Sequence, residues 1–133
     1  MDAGLIRSSI SAGLLVYKLL DDSKVVKERS TTIFPVCITD DEAQLPYVVF
    51  RFASQDPEQV KPKGGPDTCT LVVDCLGDTY GDAVNLAEAV RYTLDDAECA
   101  VDGLELSGCV MTDREEFWES DAYVERLIFT ITI

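Results

Sequence analysis

The chain has 133 residues, of which 47% are hydrophobic and 27% are charged, with a formal net charge of −14 and no histidine. This composition excludes disordered and fibrous proteins, and the length leaves room for one hydrophobic core but not for two. The absence of histidine excludes histidine-based catalytic triads, metal sites and proton shuttles. We therefore expect a single domain over residues 1–133, without catalytic residues.

The negative charge is concentrated in the second half of the chain. Residues 1–77 have a net charge of −3, whereas residues 78–126 have a net charge of −11. Such a field repels phosphate backbones, so we expect no sequence-specific binding of nucleic acid. No segment reaches the ~18 consecutive apolar residues of a spanning helix, and the N-terminus lacks the basic start of a signal peptide. These features predict a protein that is made in the cytoplasm and has no membrane partner.

The cysteines are odd in number and contain no CxxC pair, which argues against a disulfide framework. We expect them to be free thiols in the core. Cys69 and Cys75 lie on one predicted strand, roughly 20 Å apart at about 3.3 Å per residue, which is too far for a shared zinc ion. The sequence therefore predicts no metal and no cofactor.

The first predicted element is an amphipathic helix from about residue 2 to residue 20. Leu15, Val16 and Leu19 widen its apolar surface, which favours burial on two sides; the alternative is that a second chain covers part of it. Apolar or small residues recur at helical spacing along its main face at Ile6, Ile10, Gly13, Leu14, Tyr17 and Leu20.

Two strands joined by a long connection follow this helix. Residues 24–41 read as irregular with one short strand, and alternating residues then predict strands over 46–54 and 68–76. The connection, which we call loop 55–67, is rich in proline, glycine and charge. Long loops are frequently functional, so we expect it to contact a partner. Its candidate contact residues are Pro57, Glu58, Lys61, Lys63, Gly64 and Gly65.

The remaining elements complete an α+β fold. A capping pattern at Thr79 and Asp82 starts a second helix over about 80–95. Three strands follow near 104–112, 115–119 and 123–133. This order predicts two helices packed on one face of a mainly antiparallel sheet.

Phe117 and Trp118 are two large aromatic residues surrounded by acidic residues near a predicted strand end. Aromatic side chains set in a polar rim are typical interface anchors, so both are candidate interface residues. For Trp118, the sequence slightly favours burial in the core over an interface.

Several segments together resemble the tail-component family of long-tailed phages and prophages. The sharpest is Leu45-Pro46-Tyr47, which leads into a strand, and the resemblance extends over nearly the whole chain without any catalytic signature. The segments that carry it are 15–21, 32–35, 45–50, 71–74, 86–91 and 123–133.

This resemblance implies a structural subunit similar to tail-completion and tail-terminator proteins. Such a subunit would form a ring with copies of itself, often a hexamer, on the tail tube protein and would help to join the tail to head–tail connector proteins. It would be made in the bacterial host and reside in the virion tail. A neck or head–tail connector protein is the nearest alternative, and a monomeric cellular protein-binding module and a stand-alone enzyme are alternatives of other classes.

Overall fold

The computed structural model describes residues 9–30, 32–53, 68–101 and 103–133. The helical elements are a 3-10 turn at Ser9–Ser11, α1 at Ala12–Asp22, α2 at Lys24–Lys27 and α3 at Tyr80–Leu94. The strands are β1 at Ile33–Pro35, β2 at Tyr47–Phe52, β3 at Thr68–Gly77, β4 at Cys99–Val101, β5 at Leu104–Leu106, β6 at Gly108–Glu119 and β7 at Ala122–Thr132.

Five of these strands form one sheet in the order β1-β2-β3-β7-β6, and β4 pairs with β5 in a separate ribbon. Within the described residues β1 and β2 are parallel, whereas the pairs β2–β3, β3–β7 and β6–β7 are antiparallel. The mainly antiparallel α+β sheet is confirmed, and the strands predicted over 46–54 and 68–76 are the neighbouring strands β2 and β3. The Leu45–Pro46 peptide bond is cis, and β2 begins at the following residue.

Helix α3 begins where the capping pattern at Thr79 and Asp82 predicted. The Thr79 hydroxyl accepts a hydrogen bond from the backbone N–H of Asp82 at 3.1 Å, which satisfies one of the unpaired N–H groups of the first helical turn. The helix packs on β3 and β7. Its buried residues are Ala83, Leu86, Ala87, Ala89, Val90 and Leu94.

Helix α1 buries only part of the apolar surface that was predicted to face the core. Leu15, Val16 and Leu20 are fully buried, but Leu14 and Tyr17, which were expected to face the core, are exposed. The apolar surface of this helix is wider than one stripe, and periodicity alone does not show which arc of it meets the sheet. The predicted start of the helix at residues 2–8 lies outside the described residues.

Two local expectations are corrected by the structure. Within 24–41 the short strand is confirmed as β1, but Lys24–Lys27 forms the short helix α2, to which the Ser23 hydroxyl contributes an N-cap by accepting from Val26 N–H at 3.3 Å. The prediction of two separate strands near 104–112 and 115–119 is wrong. Most of both belong to β6, whose register shifts between Met111 and Asp113, so that the strand bends without ending.

The cysteines are free and mostly buried, as expected. Burial raises the pKa of the Cys109 thiol to about 12 and also raises the pKa of Cys75. Cys69 is buried too, whereas Cys99 is half-buried. Cys37 contradicts the expectation, because it is exposed in the segment that follows β1.

Candidate functional site

The hairpin of β6 and β7 ends in a two-residue turn. Ser120 and Asp121 have φ values of 52° and 61°, and the pair Glu119 and Ala122 closes the strands around them. Two consecutive residues with positive φ are typical of a type I′ turn, whose twist matches that of the flanking strands. The turn therefore fixes the register that places Trp118 opposite Tyr123.

Replacing Ser120 with asparagine and Asp121 with glycine is expected to stabilise the protein by about 0.5–1 kcal/mol. Asparagine and glycine adopt positive φ with less strain than serine and aspartate do. Urea unfolding followed by circular dichroism measures the change. An unchanged or lower midpoint would contradict the assignment of this turn.

Three exposed aromatic residues meet near this turn, and we call them the hairpin patch: Tyr80, Trp118 and Tyr123. The rings of Trp118 and Tyr123 make an edge-to-face contact with centroids 4.9 Å apart, and Tyr80 contacts Tyr123 at 5.9 Å. Trp118 is 56% exposed and Tyr80 is 50% exposed. Trp118 is thus a surface residue and not part of the core, and the patch offers aromatic area held in place by ring packing.

Phe117 points to the opposite face of the sheet, because neighbouring residues of a strand alternate. The guanidinium of Arg126 lies 4.9 Å from the centre of its ring. Arg126 also donates two hydrogen bonds to Asp74, at 2.8 and 3.0 Å. The structure therefore places Trp118, but not Phe117, in the hairpin patch.

A carboxylate network lies directly beneath the patch. Arg114 donates two hydrogen bonds to Glu125, at 2.8 and 3.2 Å, and one to Glu116 at 2.9 Å. The Tyr80 hydroxyl donates to the same oxygen of Glu116 at 2.9 Å. The network connects β6, β7 and the start of α3, so it holds Tyr80 against the hairpin.

The two carboxyl groups of this network differ in pKa. Glu125 is 2% exposed, and burial together with its hydrogen bond to Glu116 raises its pKa. The hydrogen bonds from Glu125 and Tyr80 lower the pKa of Glu116. Glu125 therefore keeps its proton to a higher pH than Glu116 does.

A second exposed apolar surface lies on α1 and on the 3-10 turn that precedes it, and we call it the α1 stripe: Ile10, Leu14 and Tyr17. Ile10 is 94%, Leu14 48% and Tyr17 40% exposed. The Tyr17 ring lies 6.5 Å from that of Phe50 on β2. Since β3 and β7 separate β2 from β6, the stripe and the hairpin patch lie towards opposite edges of the sheet, with β2 and β6 roughly 14 Å apart.

The arginines of the acidic half are all engaged by carboxylates of the chain itself. Arg91 pairs with Asp95, and Arg114 and Arg126 make the contacts already described. The surface around the hairpin patch is consequently acidic.

Among the residues that the structure describes, no group of three or more potential ligands is placed to hold a metal ion. No described helix is long and apolar enough to cross a membrane.

The predicted contact residues fall into two groups. Phe117 and Trp118 lie on β6, whereas the loop residues Pro57, Glu58, Lys61, Lys63, Gly64 and Gly65 lie outside the described residues. Sequence reasoning missed Tyr80 and Tyr123 as partners of Trp118. The turn would have revealed Tyr123, because a two-residue turn at Ser120–Asp121 pairs it with Trp118, but no local signal points to Tyr80.

The sequence profile of the tail completion protein gp17 family matches residues 16–133, which is most of the chain. The chain belongs to this family. As a tail completion protein it is a structural component of a phage-type virion tail, and it associates there with other virion proteins. The resemblance inferred from the sequence is thereby confirmed.

Solved structures share the fold of this tail completion protein. A chain of the virion of a native gene transfer agent particle superposes with a TM-score of 0.74 at 19% identity, covering 94% of this chain and 98% of that one. The gp17 protein of bacteriophage SPP1 superposes with a TM-score of 0.62 at 15% identity, covering 94% and 90%. No curated protein sequence matches significantly.

Proposed function

We propose that this tail completion protein forms a ring of copies of itself, with six as the expected number, on the end of the tail tube. The ring binds the tail tube protein, helps to join the tail to head–tail connector proteins, and has no catalytic activity. The whole of residues 1–133 acts as one domain in this role. Family membership and the shared core of the described segments support the proposal.

The observation that carries the ring is the presence of two unlike apolar surfaces towards opposite edges of the sheet. A ring formed by rotation joins one surface of each subunit to a different surface of the next. The α1 stripe and the hairpin patch provide such a pair of surfaces. Exposed aromatic and aliphatic clusters of this kind are typical of protein contact sites.

The candidate interface residues contribute to the contacts of this ring. Loop 55–67 contributes to subunit or tube contacts because of its length and composition. Trp118 contributes directly through its exposed ring. Phe117 contributes indirectly, because its ring contacts Arg126, which ties the hairpin to Asp74 of β3.

The acidic half adds an expectation about DNA. If residues 78–126 line the channel of the ring, their field repels passing DNA and keeps the channel from gripping it. The protein is then expected to show negligible affinity for duplex DNA even at low salt. Tight binding in a low-salt mobility-shift assay would contradict this arrangement.

Changes to the contact surfaces are expected to reduce ring formation and tail completion while leaving the fold intact. The variants are Trp118→Ala and a deletion of residues 57–65, with Tyr92→Ala as the control, because Tyr92 is 78% exposed on α3 outside both apolar surfaces. Circular dichroism checks the fold, and negative-stain images of tails count the capped tubes.

Normal capping by both variants would contradict the assignment of these surfaces. A monomer in dilute solution does not contradict the ring, because a ring gains its full set of contacts only on closure and on the tube. Native mass is therefore measured both free and in the presence of tubes.

A further inference from the structure

One edge of the main sheet is formed by β6, which is the last strand in the order. In a hairpin with a two-residue turn, the residues that flank the turn form a hydrogen-bonded pair, and such pairs alternate along the strands. Glu119, Phe117 and Glu115 therefore bond to β7, whereas the backbone groups of Trp118, Glu116 and Arg114 point away from the sheet.

The first half of this edge is already occupied by the chain itself. Asp95 accepts the outward N–H of Met111 at 3.2 Å, and the N–H of Asp96 donates to the carbonyl of Cys109 at 2.8 Å. These bonds close the edge as far as the bulge in β6.

The second half of the edge is open. The N–H of Arg114 is bonded locally to the carboxylate of Asp113 at 2.7 Å. Within the described segments, no hydrogen bond reaches the outward N–H and carbonyl groups of Glu116 and Trp118. The stretch from Arg114 to Trp118 is about 13 Å long at 3.3 Å per residue, which suits an added strand of four to five residues.

The charge of this edge selects among possible occupants. Glu116 lies on the face of the hairpin patch, and Glu115 and Glu119 lie on the opposite face, so an added strand would meet carboxylates on both sides. Pairing with the β6 of a second copy would bring the glutamates of the two copies together, which is unfavourable. A strand with lysine or arginine at alternate positions is favoured instead.

We propose that the open edge from Arg114 to Trp118 binds a basic, extended segment of another tail protein as an added antiparallel strand. This inference rests on the proposed function, because it adds a contact with a different tail protein along the backbone edge of β6, beside the hairpin patch that meets the next subunit of the ring. Backbone hydrogen bonds to Glu116 and Trp118 supply the pairing, and the glutamates supply the preference for basic side chains. The Trp118 ring covers the aliphatic part of a neighbouring lysine or arginine.

The test uses the full-length protein and a synthetic peptide, acetyl-Thr-Lys-Val-Lys-Val-Lys-Thr-amide. Calorimetry is expected to show binding that weakens with salt, and Trp118→Ala is expected to weaken it at least tenfold, with Tyr92→Ala as the matched control. Hydrogen exchange is the decisive readout: the amides of Glu116 and Trp118 are expected to exchange more slowly with peptide, and those of Glu115 and Phe117 at an unchanged rate.

Two further peptides separate backbone pairing from charge attraction. A peptide N-methylated at residues 2–6 keeps its charges but cannot form a ladder, and one with glutamate in place of lysine keeps its backbone; both are expected to bind at least tenfold more weakly. Equal binding of either peptide would overturn the proposal. Self-association of the protein that slows exchange at Glu116 and Trp118 without peptide would overturn it in favour of a second copy. Failure of these tests leaves the ring intact if Trp118→Ala still reduces tail capping.

Discussion

Replacing Gly77 with alanine is expected to destabilise the protein by more than about 3 kcal/mol, or to prevent folding. Gly77 is the last residue of β3, and the chain turns directly from it into α3. A Cβ atom at this position would lie 2.5 Å from the backbone nitrogen of Ala83 and 2.9 Å from the carbonyl oxygen of Thr79. These are backbone atoms, so relief would require the helix to move away from the strand.

Gly81→Ala is the matched control for this prediction. Gly81 lies in the first turn of α3, and a Cβ atom there would meet no atom within 4 Å beyond its chain neighbours and the backbone of its own helix. Because alanine favours the helical conformation over glycine, we expect a gain of about 0.5–1 kcal/mol. Urea unfolding of both variants gives the comparison. Equal stability of the two would show that α3 does not pack as closely on the end of β3 as the structure indicates.

Replacing Arg114 with glutamine is expected to make stability strongly dependent on pH. Arg114 is the cation that contacts both carboxylates of the network beneath the hairpin patch. Without it, the buried Glu125 is left beside Glu116 with no positive partner, and its already raised pKa rises further. As the pH rises from the ordinary pKa of glutamate to the raised pKa of Glu125, the free energy of unfolding is then expected to fall by up to about 1.4 kcal/mol per pH unit.

The direction of this effect follows from the two pKa shifts. The raised pKa of Glu125 contributes stability that is present at low pH and is lost as the pH rises through that value. The lowered pKa of Glu116 acts in the opposite sense, because its contribution is lost as the pH falls. In the unchanged protein the two dependences oppose each other. In Arg114→Gln the Glu125 contribution dominates.

The double variant Arg114→Gln/Glu125→Gln provides the control. A neutral amide at position 125 has no proton to lose. The stability of the double variant is therefore expected to stay nearly constant over this pH range and to exceed that of Arg114→Gln at pH 8. Urea unfolding at pH 5 and pH 8 measures both variants. A steep pH dependence that persists in the double variant would assign the effect to another group.

The sequence by itself determined the class of fold and most of its elements. Strand alternation located β2 and β3, and the capping pattern at Thr79 located α3, because in these segments burial is one-sided and the local conformation is favoured by the residues themselves. The resemblance of pattern and element order identified the family, which the match over residues 16–133 confirms.

The tertiary structure alone decided which surfaces remain exposed. The apolar arc of α1 is wider than the sheet contact, so only packing shows that Leu15 and Val16 are buried and that Leu14 and Tyr17 are not. Likewise, the position of Tyr80 depends on contacts across 36 residues of sequence. The second half of the β6 edge is open because the hydrogen bonds that Asp95 and Asp96 make to β6 within the described residues reach only Met111 and Cys109, in its first half. Periodicity reports which residues share a face, but the partner of that face is fixed only when distant elements pack together.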